Sequence, residues 1–200
     1  MPRHVDHEQR RRELSDAVWR VVSDHGLEGL TLRTVAAAAG CSTGRAAHYF
    51  RDKAALLAHA RDVMHRRMTA RIDTLPEQPN ARARLRLVVA QGLPLDDDRR
   101  LWTTVWAHFL LAARTDPALL SEHSVRHCSW IRRLTGLLSA AYAETPSGVP
   151  ADLDLRVRAL IAAVDGLALN AVANPDAYPA DLVERVLDTQ IALLLNGVDA

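Results

Sequence analysis

The sequence predicts an all-α chain, and three observations carry that prediction. Ala, Leu and Arg abound while Ile, Tyr and Phe are sparse, a balance that favours helix over strand. Apolar residues recur at spacings of three and four along most of the 200 residues. Side chains suited to start a helix stand directly before those runs, and Gly or Pro stands after them. Roughly nine helices are expected: a helix-turn-helix unit in residues 1–52 and a larger helical body in residues 53–200.

The first helix is expected from about Asp6 to His25, with Leu14, Val18, Val21 and Val22 on one face and Gly26 as its stop. Thr31 caps a second helix, Leu32 to Ala39, whose alanine run admits a close neighbour. Gly40 ends it, and Ser42 caps a third that reaches about Phe50. Two short helices joined by about three residues that include Gly form a helix-turn-helix. Asp52 caps a longer helix carrying Leu56, Leu57, Val63, Met64 and Met68, which fades before the loop LPEQPN. Asn80 opens the next helix, through Gln91, and Asp96 to Asp98 place negative charge at the start of another. Asp116-Pro117 pairs an N-cap with a first-turn proline and opens a long helix to about Ala143. After the loop ETPSGVP, a helix runs to Pro175, and Pro179 opens the last, through about Asn196.

Charge and composition exclude several classes. No uncharged apolar run reaches about 18 residues, so no membrane span is expected, and the charged start has no apolar stretch behind it. Cys41 and Cys128 lie far apart without metal spacing, which fits a reduced, cytoplasmic setting. The net charge of +1 hides an asymmetry: residues 1–74 hold 13 Lys and Arg against 9 Asp and Glu, and residues 75–200 hold 12 against 15. A basic front on a mildly acidic body points to a polyanion at the N-terminal end. No nucleotide-binding Gly loop, metal-ligand spacing or nucleophile signature is present, so neither an enzyme nor a cofactor is expected.

The stretch CSTGRAAHYFRDKAALL raises a sharper question, because Gly44 weakens a helix already short. A helix lying in a DNA major groove answers it: Gly removes the side chain that would hold the backbone away. Thr43 and Arg45 then reach base edges, with Arg suited to guanine O6 and N7. His48 and Tyr49 can donate to phosphates, and Lys53 adds its charge to the free N–H groups of the next helix. Thr31 and Arg33, at the start of the second helix, reach the other side of the groove. Core packing competes as a reading for Tyr49, and a solvated face for Arg10 to Arg12.

The segment TLRTVAAAAGCSTGRAAHYFRDKAALL closely resembles the DNA-binding domain of TetR-family transcriptional repressors. Thr31, Val35, Ala36, Ala39, Gly40, Ser42, Gly44, Tyr49, Phe50, Lys53 and Leu56 fit that family's pattern. The resemblance implies that Thr43, Gly44 and Arg45 face bases while His48, Tyr49 and Lys53 face phosphates. Ala47 departs from it, since many members carry Tyr there, and Cys41 replaces the usual Val. The body is similar to the BetI-like branch through the WxxxW of Trp102 and Trp106 and the run Val164-Asp165-Gly166-Leu167.

In the body, Trp102, Trp106, Phe109 and Ala113 share one helix face, and Trp130, Leu134, Leu137 and Ala141 share another. Two readings stay open for these stripes: core packing, or an apolar pocket for a small-molecule effector lined by the three Trp with Met64 and Met68. Asp165 is the candidate polar group of that pocket; a structural hydrogen bond or a subunit contact explains it equally. Gly166, mid-helix, suits a close helix crossing. By family resemblance the last two helices form a four-helix interface in a homodimer, with Leu160, Val164, Gly166, Leu167, Leu187 and Leu194 as candidates. Such a dimer presents two reading helices to a palindromic operator in double-stranded DNA. The alternative function is a helical small-molecule-binding or interaction protein without specific DNA recognition.

Overall fold

The computed structural model describes residues 3–26 and 28–196, with the side chains of residues 3–6 left aside. Among the described residues there are nine α-helices and no strand. They are α1 (Arg3–His25), α2 (Leu32–Ala38), α3 (Thr43–Tyr49), α4 (Lys53–Asp73), α5 (Ala81–Val89), α6 (Asp97–Ala113), α7 (Pro117–Ala143), α8 (Leu153–Ala173) and α9 (Ala180–Asn196), with a 3₁₀ turn at Ala90–Gly92. The chain divides into two compact units, residues 1–69 with 104–123 and residues 70–103 with 124–200.

In the first unit, local chemistry sets the helix ends. The Thr31 side chain accepts from the Thr34 amide at 3.1 Å, and the Thr34 hydroxyl accepts from the Thr31 amide at 3.0 Å, a reciprocal cap. At the far end of α2, Gly40 adopts φ +65°, which lets the Cys41 amide bond back to Ala36 O at 2.9 Å. Ser42 then accepts from the Arg45 amide at 3.3 Å and starts α3. Asp52 accepts from the Ala55 amide at 2.7 Å and starts α4. The core of the unit gathers Leu14, Val18, Val22, Leu30, Val35, Phe50, Leu56 and Leu57, each at most 2 % exposed. Of the alanine run, only Ala36 is fully buried, so the run gives α1 and α3 one close seat rather than a whole face. Cys41 is half-buried. The helix α1 starts at Arg3, ahead of the expected Asp6, because residues 3–5 contain no helix breaker.

The second unit is built on α5, α8 and α9 with the C-terminal part of α7. Leu85, Leu93, Leu134, Leu138, Val157 and Leu187 are among its fully buried side chains. Charged residues tie the helix margins: Arg86 on α5 grips Asp188 on α9 through two hydrogen bonds. Arg156 on α8 donates to the Tyr142 hydroxyl at 2.9 Å, and that hydroxyl donates to the Leu194 carbonyl, so α7, α8 and α9 meet at one node.

Candidate DNA interface and effector residues

The third helix presents one open face. Thr43, Gly44, Arg45, Ala47 and His48 are exposed, while Ala46 and Phe50 turn into the core. A Cβ built at Gly44 would meet nothing within 4 Å, so no contact inside the chain requires glycine there. Arg45 lies in the first turn of α3 and, like the exposed Arg33 of α2, makes no ion pair with a described residue. Lys53 is exposed as the first residue of α4. Thr31 is exposed too, but its hydroxyl is engaged in the cap of α2. Tyr49 is half-buried and sits in a cluster of three rings: the His7 ring of α1 lies 4.7 Å from Tyr49 and 5.6 Å from His48, centroid to centroid.

The residues expected to meet an effector divide between the units. In the first, Met64 and Phe109 are buried, and Met68 and Trp106 are half-buried. The Arg61 guanidinium lies 5.8 Å over the Phe109 ring, and Arg61 is itself only 7 % exposed. In the second, Trp102 and Trp130 are half-buried, the former with the Arg71 guanidinium 5.9 Å over its ring. Asp165 lies half-buried on α8, and desolvation pushes its carboxyl up to about 6. It makes no hydrogen bond with a described residue, unlike the structural role considered for it.

Family models settle what the two parts are. Residues 14–60 match the model of bacterial regulatory proteins of the tetR family, and residues 81–196 match the C-terminal model of BetI-type transcriptional repressors. The chain belongs to the TetR family. It is 32% identical over 193 residues to the HTH-type transcriptional regulator PksA of Bacillus subtilis, covering 94% of this chain and 90% of that one. It superposes on the crystal structure of a transcriptional regulator from Rhodococcus sp. Rha1 with a TM-score of 0.84 and 32% identity, over 95% of this chain and 98% of that one. The same fold, at a TM-score of 0.79 and 20% identity, occurs in a regulator from Saccharomonospora viridis solved in complex with choline, over 92% of this chain and 96% of that one.

This TetR-family chain is accordingly a DNA-binding transcriptional regulator. Among the described residues, no helix is long and apolar enough to cross a membrane and no cluster of metal-ligating side chains occurs.

Two buried polar side chains were missed from the sequence. Arg61 stands on the stripe Leu57–Arg61–Met64–Met68, and that i+4, i+3, i+4 spacing was the available signal for a buried cation. Gln91, 6 % exposed, donates to the Leu87 carbonyl while its Oε1 is buried with no hydrogen-bond partner. Nothing in the sequence marks it, because its burial follows from the 3₁₀ turn lying against α8 near Val164.

The expected subunit contacts need a correction. Leu160, Val164, Leu167 and Leu187 are 1–8 % exposed and belong to the core of the second unit, so they have almost no surface left for a partner. Of the six, only Gly166 and Leu194 keep partial exposure. The uncovered face of α8 lies about half a turn away and carries Leu155, Ala159, Ala162, Gly166, Leu169 and Ala173 at alternating spacings of four and three. On α9 the matching stripe is Leu182, Val186, Thr189 and Leu193.

Proposed function

We propose that the protein is a cytoplasmic repressor that reads a palindromic operator through α3 and releases it on binding a small-molecule effector. Residues 1–52 read DNA, and residues 53–200 take the effector and the second subunit. Thr43 and Arg45 contact bases, with Gly44 between them allowing close approach. Arg33 and Thr31 reach across the groove, and His48, Tyr49 and Lys53 hold phosphates.

One observation carries this reading: Gly44 costs the free protein helix stability at a position where a side chain would meet nothing. An intramolecular reason for it is lacking, and an approaching DNA backbone supplies one. Selection of bound duplexes from random DNA by the purified protein tests the reading. A palindrome with half-sites about one helical turn apart is expected, and recovery of no consensus would overturn it. With that duplex, Arg45→Ala weakens binding about tenfold to a hundredfold and relaxes one position per half-site. Lys53→Ala weakens all sequences alike and flattens the salt dependence.

For the effector we assign Trp102, Trp130 and Asp165 of the second unit. Two half-buried indoles and a carboxyl without a described partner suit a small, largely apolar or cationic molecule. The effector must bind the DNA-free form better than the DNA-bound form, or it shifts nothing. The homodimer closes through the uncovered stripes of α8 and α9, where Gly166 permits a close crossing of two subunits; a Cβ there meets nothing within its own chain.

A further inference from the structure

We propose that His7 of α1 joins His48 and Tyr49 of the reading helix as a further phosphate-contacting residue, and that the two imidazoles take up protons when operator DNA binds. The inference rests on the reading above, in which α3 enters the groove, and adds to it a residue outside the helix-turn-helix.

The observation is the ring cluster. His7 lies 4.7 Å from Tyr49 and 5.6 Å from His48, and the His48 and Tyr49 rings meet edge-on at 5.5 Å. Both histidines are exposed. Neither ring fills the core, where Phe50, two residues after His48, is buried with the Arg11 guanidinium 5.6 Å over its ring. Two imidazoles and a phenol therefore sit together on the surface at the C-terminal end of α3, close in sequence to Lys53 at the head of α4. All three can donate to phosphate oxygens.

The electrostatic setting makes the contact depend on pH. The neighbouring elements carry Glu8, Arg10, Arg11 and Arg12 on α1, Arg45 on α3, Arg51 and Asp52 in the following turn, and Lys53 on α4. Glu13 is engaged with Arg10 at 2.6 Å, and Asp52 with Arg51 at 3.0 Å. The surroundings are thus mainly cationic, which suits a polyanion. A phosphate bound at the cluster favours the imidazolium form of each ring. Histidine is the side chain whose ordinary titration falls in the range where this linkage is measurable.

The test uses the selected duplex, the full-length protein and fluorescence anisotropy between pH 6 and pH 8 at fixed ionic strength. Uptake of one proton strengthens binding by up to about tenfold for each unit the pH falls. His7→Gln is expected to lower that dependence, to weaken binding severalfold at pH 6 with little effect at pH 8, and to reduce the salt slope at pH 6 by about 0.9. His7→Arg, with a fixed charge, should keep at pH 8 the affinity that the parent reaches at pH 6. The double variant His7→Gln, His48→Gln should bind with no pH dependence from this cluster. Circular dichroism melting checks that the variants fold, as the exposure of both side chains predicts. If His7→Gln binds with the parent's pH dependence and salt slope, or weakens binding equally at every pH, the inference falls while the DNA-reading function stands. If no duplex is selected at all, both fall together.

Discussion

Replacing Leu193 by Glu should separate the subunits without unfolding them. Leu155, Leu169 and Leu193 are 65, 40 and 48 % exposed in one subunit, so about half of each side chain is still in water. Covering that half recovers about 1 kcal/mol per leucine, out of the ~1.5–3 kcal/mol for full burial. Three leucines from each of two subunits then supply about 6 kcal/mol, before the alanine stripe and the Gly166 crossing are added. A glutamate at position 193 removes its share and leaves a carboxylate under the partner, at a cost of several kcal/mol. Twofold symmetry applies the change twice. At about 3 kcal/mol per site the total is about 6 kcal/mol, or more than four decades in the dimer dissociation constant. A nanomolar dimer would become monomeric at micromolar concentration, which sedimentation velocity resolves directly. Leu187→Ala is the control: at 1 % exposure within the subunit, its truncation should cost about 2–5 kcal/mol of folding stability and lower the melting temperature. Should Leu193→Glu sediment as the parental dimer at submicromolar concentration while melting normally, the uncovered stripes are not the interface.

Gly44→Ala should leave the isolated protein as stable as the parent or up to about 1 kcal/mol more so, since the added Cβ meets nothing; Gly44→Leu should nonetheless abolish operator binding, and anisotropy with the selected duplex decides. Asp165, with its carboxyl raised to about 6 from 3.8, stabilises the fold fully below the ordinary carboxyl range and loses that contribution as pH rises through 6. The loss between pH 4 and pH 7 is about 2 kcal/mol once partial solvent screening is allowed for. Asp165→Asn should abolish it, which thermal melts across that range will show, and an unchanged profile would contradict the desolvated site. A ligand that releases DNA should alter tryptophan emission and bind more weakly to Trp102→Phe or Trp130→Phe; normal affinity in both places the effector elsewhere. If the effector is cationic, Asp165→Asn should weaken it most at pH 7 and above, where the parent carboxyl is charged.

The amino-acid sequence alone determined what is local. Thr31, Ser42, Asp52, Asn80 and Asp116 cap helices within a few residues of themselves, so their positions gave the helix starts directly. The outward face of α3 was legible for the same reason: α3 is seven residues long, and Phe50 and Ala46 take its buried side, which leaves Thr43, Gly44, Arg45 and His48 exposed. Tertiary structure alone decided which of several apolar faces meets its own core. In α8 nearly every direction is apolar, so Leu160 and Leu169 are chemically equivalent in sequence. Yet the first is 2 % exposed and the second 40 %. That choice depends on where α5, α7 and α9 lie, and no periodicity within α8 encodes it. The raised carboxyl of Asp165, the unpartnered Oε1 of Gln91 and the approach of His7 to His48 arise in the same way. Each is a meeting of groups far apart or differently turned in the chain, and burial, which sets their chemistry, belongs to the assembled helices rather than to any one of them.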